Sequence, residues 1–291
     1  MANMERQSVA REQIDIDGLR AWIGSKERIA DVVTPQLAVR FAATLGLPMD
    51  EPATGDLAPA MIHYCLAPAA VSMSDLGPDG HPARGGFLPP VPLPRRMWAG
   101  GGITFHAPFR VGDIVVRTTE IADVVLKEGR SGRLCFVTLQ HAYEVDGRRM
   151  LDERQDVVYR DLDTAAPSPA AKSQPAPAGE QTRTIDTPAT LLFRYSALTF
   201  NGHRIHYDRA YTTKEEGYPG LVVHGPLQAT CLVHFAAAVR RAAPRTFEFR
   251  AMSPVFDGEG LVLNAAAEGA ALRMWSNRPG GPVAMSGTAT W

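Results

Sequence analysis

GPLQATCLVHFAAAV, residues 225–239, is the stretch on which the fold turns. Gly225-Pro226 makes a good helix start, because proline suits the first helical position. Leu227, Cys231, Phe235 and Ala238 then fall on one stripe. The spacing predicts a helix from Pro226 to about Ala243. Four strand-like runs follow it: TFEFRAMSPV (246–255), LVLNAAAEG (261–269), ALRMWSN (271–277) and PVAMSGTATW (282–291). A helix followed by an antiparallel meander is an α+β unit in which the sheet wraps the helix.

The first half shows the same plan. Thr34-Pro35 supplies a hydroxyl N-cap and a proline, Leu37, Phe41 and Leu45 share a face, and Gly46 and Pro48 end the helix. Strand-like runs come later, at 102–107, 113–129, 132–147 and 148–161, separated by turn signals such as Asp146-Gly147. The order of elements repeats without strong residue-level similarity. Two such units in tandem make a double hot dog fold. Between them, 161–182 reads DLDTAAPSPAAKSQPAPAGEQT, a Pro/Ala-rich linker. The expected divisions are therefore 1–160, a linker over 161–182, and 183–291. A second Pro/Gly-rich run, GPDGHPARGGFLPPVPLP at 77–94, is expected to be a long surface loop of the kind that often carries function.

Composition narrows the classes. The chain has 291 residues, 45% hydrophobic and 21% charged, which excludes a disordered tail, a fibre and a disulfide scaffold. Lys+Arg number 30 against 31 Asp+Glu, so the balance does not point to a nucleic-acid binder. Cys65, Cys135 and Cys231 form no CxxC pair, which fits a reducing compartment. The longest apolar stretch, 231–239, contains His234 and is far shorter than the ~20 residues that span a bilayer. A cytoplasmic protein without membrane partners is expected.

The chemistry concentrates in RYSALTFNGHRIHYD, residues 194–208. His203, His206 and Asp208 do not have the helical spacing of a zinc protease, and no HExxH occurs. No Gly-x-Ser-x-Gly elbow and no dinucleotide-binding Gly-x-Gly-x-x-Gly is present. Neither a metal nor a separate cofactor is expected.

This segment resembles the hydratase motif of MaoC-type enoyl-CoA hydratases, Gly-Asp-x-Asn-Pro-Leu/Ile-His-x-Asp. The motif histidine falls on His206 and its last aspartate on Asp208. The catalytic aspartate falls on Asn201, and the Asn-Pro pair falls on His203-Arg204; both are departures. Val223-His224-Gly225-Pro226 is similar to the loop that opens the family's central helix, and Arg95 to Gly101 (RRMWAGG) is similar to its N-terminal unit. The resemblance implies a branch of two-hot-dog hydratases and dehydratases acting on short acyl thioesters.

It also implies roles. His206 is the expected proton carrier, Asn201 holds water or orients His206, and Gly225 supplies the oxyanion N–H. Arg204 is expected to meet a second substrate carboxylate. His203, Tyr207, Asp208, His224, Trp98 and Arg96 complete the substrate site. The expected reaction is hydration of a short branched dicarboxylic enoyl-CoA, such as mesaconyl-CoA or itaconyl-CoA, to citramalyl-CoA. A 3-hydroxyacyl thioester dehydratase and a non-catalytic acyl-CoA-binding module are the alternatives. Coenzyme A enters as part of the substrate, and a homo-oligomer, dimer or higher, is compatible with this reading. Physical chemistry agrees with the roles. A histidine titrates near neutrality and can exchange protons both ways, and amides at a helix start are aimed donors for an enolate.

Overall fold

The computed structural model describes residues 14–129, 132–161 and 174–291. In chain order its elements are α1 (Ile16–Arg20), β1 (Lys26–Val32), α2 (Pro35–Leu45), β2 (Arg95–Phe105), β3 (Ile114–Gly129), β4 (Gly132–Val145) and β5 (Arg148–Arg160), then β6 (Gln181–Ile185), α3 (Ala189–Leu198), α4 (Arg209–Lys214), α5 (Gly225–Arg240), β7 (Thr246–Ala251), β8 (Leu261–Glu268), β9 (Ala271–Asn277) and β10 (Val283–Thr290). Alternation places the strands. On β4, Cys135, Val137, Leu139 and Tyr143 are buried while Gln140 between them is exposed.

All ten strands pair antiparallel in one sheet, ordered β1-β3-β4-β5-β2-β7-β10-β9-β8-β6. The two halves have the same internal order: β1-β3-β4-β5-β2 is matched by β6-β8-β9-β10-β7. They join where β2 pairs with β7, from Gly100 opposite Arg250 to Thr104 opposite Thr246. Glycine is required along this seam because the backbones come so close. A Cβ on Gly100 would lie 2.6 Å from the Phe249 carbonyl oxygen of β7, and one on Gly101 would overlap the Arg154 carbonyl oxygen of β5 on the other side of β2. One core runs through both halves, uniting Phe41, Ile103 and Tyr143 with Leu232, Phe247 and Met274.

The central helix differs from its predicted stripe. Leu227 to Val233 are all buried, as are Phe235 and Ala236. A helix covered on all sides is expected where a sheet wraps one face and a second unit closes the other. It ends earlier than predicted, at Arg240, because Arg241 turns left-handed (φ 54°) and Ala242 N–H donates to Ala237 O.

The first half has no counterpart of this long helix. In chain order α2 corresponds to α3, and it packs against α3. The place of α5 is taken by residues 47–94, where only the single turns Ile62–Cys65 and Met73–Asp75 are helical. Pro52, Pro59, Pro68, Pro78 and Pro82 interrupt any longer run. The predicted surface loop is also partly core: Val91 and Leu93 are fully buried among Ile121, Val124, Val137 and Tyr159.

Two edge strands, β1 and β6, escaped the strand signals because charged and polar residues fill them, as suits exposed edges. β6 also shortens the expected linker. Before it, Pro177 O accepts from Trp275 Nε1 at 3.0 Å and Gly179 N–H donates to Asn264 Oδ1 at 3.1 Å, so 174–182 lies on the second half of the sheet. Residues 162–173 of the linker fall outside the described residues. Among the described residues no helix is long and apolar enough to cross a membrane.

The seam yields a prediction. Gly101→Ala should lower stability by about 1–3 kcal/mol, because a backbone carbonyl cannot move aside as a side chain can. Gly86→Ala, whose nearest neighbour would be 3.9 Å away, should stay within about 0.5 kcal/mol of wild type. Urea unfolding of the two variants checks both values.

Candidate active site

The motif segment is shaped by the end of α3. Thr199 caps the helix, its hydroxyl donating to Tyr195 O at 2.8 Å, and Phe200 turns left-handed (φ 52°). The chain then doubles back: Asn201 N–H donates to Ser196 O at 2.8 Å. The Asn201 side chain accepts the His203 backbone N–H at 2.9 Å, so its carbonyl shapes the turn. Residues 204–206 form one helical turn, and Asp208 caps α4 by accepting from Tyr211 N–H at 3.0 Å.

His206 is buried and held from two sides. Its Nδ1–H donates to Val222 O at 2.7 Å, so Nε2 carries the lone pair. Its ring stacks on His224, centroids 3.6 Å apart and planes 17° apart. His224 is itself tied to Ser196 Oγ by Nε2 at 2.8 Å. On the other side His203 stands edge-on to His206, centroids 5.4 Å apart. Burial, offset in part by the Val222 carbonyl, pulls His206 down to about 4. Burial, then the neighbouring imidazoles, takes His224 well below its ordinary value. All three rings are thus neutral near pH 7.

The residue after His224 opens α5. Gly225 belongs to the first turn, whose N–H groups have no partner inside the helix. Trp98 of β2 presses on it: a Cβ at 225 would lie 2.5 Å from the indole Cε3. The indole is in turn stacked on Phe249 at 4.7 Å. The first residue of the central helix thus follows directly on His224, the ring stacked on His206, with an aromatic ring against it and no side chain of its own.

The other expected substrate residues divide. Arg96 lines a small cleft together with Asp79, Met97, His203 and Ile205. Arg204 does not offer a free fork to a ligand. Its Nε and Nη2 donate to Asp208 Oδ2 at 3.1 and 2.8 Å, its Nη1 donates to Pro78 O at 3.0 Å, and its guanidinium lies over the Tyr211 ring. Two residues expected to bind substrate, Arg204 and Asp208, are each other's partners. Tyr207 is half exposed and donates to Gly202 O at 2.8 Å.

Sequence reasoning missed two residues here. Asp79 and His81 come from the 77–94 run, and the His81 ring lies 4.1 Å from His203. His81 Nδ1–H and its backbone N–H each donate to one Asp79 oxygen, both at 3.0 Å. The available signal was an Asp-x-His triplet between glycines in a loop already suspected of function. Asp79, His81 and His203 bring ligand-type atoms within 4.8 Å of one another. Both Asp79 oxygens already accept from His81, and the Arg96 charge stands close by. The trio is built as a carboxylate-oriented imidazole rather than a cation cage.

Comparison with known proteins bears on the family and the fold. The family model of hydroxyacyl-thioester dehydratase type 2 matches residues 61–257. The mesaconyl-C(4)-CoA hydratase of Chloroflexus aurantiacus is 42% identical over 270 residues, covering 92% of this chain and 96% of that protein. The chain belongs to the hydroxyacyl-thioester dehydratase type 2 family. The MaoC-like dehydratase of Phytophthora capsici superposes with a TM-score of 0.68 at 16% identity, over 96% of this chain and 98% of that one. A double hot dog protein of Mycobacterium tuberculosis gives 0.52 at 16% identity, over 92% and 96%. These two establish the fold as a double hot dog. The family pattern also makes one departure intelligible: Arg204 N–H donates to Asp79 O at 2.9 Å, a bond that the usual proline cannot make.

The buried imidazoles set a pH dependence of folding. His206 and His141, both at about 4 through burial, bind fewer protons folded than unfolded between about 6.5 and 4. Their contribution is complete above about pH 6.5 and is lost as pH falls toward 4, at roughly 1 kcal/mol per pH unit for each ring. Urea midpoints at about pH 7.5 and about pH 5 should therefore differ, and His206→Gln should shrink the difference.

Proposed function

We propose that this protein is a hydro-lyase adding water to a short branched dicarboxylic enoyl-CoA, mesaconyl-CoA or itaconyl-CoA, with citramalyl-CoA as product. The observation that carries this reading is His206, with Nε2 free as a base, beside the opening amide of α5 at Gly225. His206 takes a proton from water as the oxygen bonds to Cβ. The π electrons move to the thioester oxygen, and the Gly225 N–H with the helix dipole stabilises the enolate that results. The Asn201 amide holds the attacking water, since a carboxamide cannot transfer a proton itself. With itaconyl-CoA, a proton shift through the same enolate brings the double bond into conjugation before water adds.

The identity to a mesaconyl-C(4)-CoA hydratase supports a dicarboxylic substrate. Arg96 on the cleft wall is the guanidinium suited to the second carboxylate, since Arg204 is paired with Asp208. Acyl-CoA is the partner, and the site works in an aqueous cytoplasm without a separate cofactor.

An absorbance assay of enoyl loss tests the reading across mesaconyl-, itaconyl-, crotonyl- and longer enoyl-CoAs. Wild type should prefer the branched dicarboxylic substrates, and activity confined to long unbranched chains would instead favour a fatty acid dehydratase. His206→Ala should lose on the order of 10²–10⁴-fold in kcat. Arg96→Gln should cost about 10- to 100-fold in kcat/KM on mesaconyl-CoA and little on crotonyl-CoA. Arg204→Gln should affect both substrates alike.

A further inference from the structure

The catalytic motif contains no carboxylate free to move a proton. Position 201 is an amide, and Asp208 is taken up by Arg204 and by the start of α4. His206 has one nitrogen bound to Val222 O and offers a single acceptor. Hydration requires two proton movements, one from water and one to Cα.

The first half of the chain brings a second unit to this place. The 77–81 turn is docked onto the motif by four independent contacts. Arg204 N–H donates to Asp79 O at 2.9 Å, and Arg204 Nη1 donates to Pro78 O at 3.0 Å. Gly80, at φ +86°, meets Gly202 so closely that a Cβ on either would collide with the other's carbonyl oxygen. His81 and His203 lie ring against ring. The turn is braced internally as well, with Gly77 N–H donating to His81 O at 2.7 Å. So much fixation of a surface turn serves the group it presents. That group is an imidazole whose Nδ1–H is held by a carboxylate, leaving Nε2 for chemistry, which is the arrangement of an oriented general acid–base.

We propose that His81, oriented by Asp79, is the second proton-transfer group of this site, delivered by the N-terminal half to the motif of the C-terminal half. This rests on the hydration reading above. The cycle begins with one extra proton among the imidazoles. Burial pulls His81 below the ordinary histidine value and the Asp79 carboxylate works against that pull; of His81, His203, His206 and His224 it is the ring facing a carboxylate, so the proton resides there. As oxygen bonds to Cβ, His206 Nε2 takes a proton from water and the π pair moves onto the thioester oxygen. The enolate re-forms its carbonyl, and Cα takes a proton from His81 Nε2. His206 is then charged and His81 neutral. His203, set between the two rings, passes the proton back. Dehydration runs the same steps in reverse. Asp79 is the positioning residue: it fixes the tautomer and stabilises the imidazolium.

The test is steady-state hydration of mesaconyl-CoA and crotonyl-CoA by wild type, His81→Ala, His81→Gln and Asp79→Asn, with and without free imidazole. Both His81 variants should lose on the order of 10²–10⁴-fold in kcat with KM within about threefold of wild type. Imidazole should restore part of kcat to His81→Ala and none to His206→Ala, whose ring is buried under His224. His81→Gln keeps a donor to Asp79 and should melt like wild type, which separates chemistry from folding. Asp79→Asn should lower kcat less than loss of the ring does. Undiminished kcat in either His81 variant overturns the proposal, as does a loss that imidazole does not recover. Wild-type activity abolished by a chelator and restored by zinc overturns it too, making Asp79, His81 and His203 a ligand set. A wild type inactive on every enoyl-CoA overturns the hydration reading itself, and this inference with it.

Discussion

The enclosure of α5 is the constraint from which the rest follows. A sixteen-residue helix whose middle, Leu227 to Ala236, is almost wholly buried leaves its first turn only partly covered, and the amides there have no partner inside the helix. Enclosure requires apolar residues around the whole circumference and a sheet long enough to wrap them. It also requires glycine at 225, since Trp98 closes the floor. The site is thus a by-product of packing: the core's largest helix ends where the chemistry begins. Its tolerance for buried polarity is narrow, and Gln228 on α5 meets this by accepting from Ser276 Oγ at 2.8 Å.

The second constraint is electrical. Stacking His206 on His224 and crossing it with His203 crowds imidazoles where two positive charges cannot coexist. Burial keeps them neutral, and a carbonyl on Nδ1 settles which nitrogen of His206 is available. Neutral rings at close quarters make a polarisable wall suited to an uncharged π system, with a place for one proton at a time.

Much of this was legible in the chain. The strand runs of β3, β4 and β5 and the helix at 225 follow from period and turn residues, because both bury strongly patterned faces. The His206 motif is legible as chemistry, since no structural element needs so many titratable groups. What stayed hidden has definite physical causes. β1 and β6 are charged edge strands without an apolar signature. The stripe on α5 under-reported its burial, because small residues such as Ala229 and Ala236 are buried without standing out. Arg204 reads as a ligand fork in the sequence, which does not show that Asp208, four residues on, takes up the same fork. Asp79 and His81 are invisible as site residues because more than a hundred positions separate them from His203, and only the joining of the two halves in one sheet brings them together.

The glycine-lined joint between β2 and β7 has a consequence for how such a protein can change over time. A single uninterrupted hydrogen-bonded ladder means that neither half has a finished rim at that position. Cut there, the second half would present β7 as a bare template for any passing strand, an open invitation to self-association. Fusion of the two units in one polypeptide guarantees that the right neighbour is always present. It also releases the halves from having to be alike: one keeps the long helix, while the other gives up that helix for a proline-broken segment free to acquire new side chains.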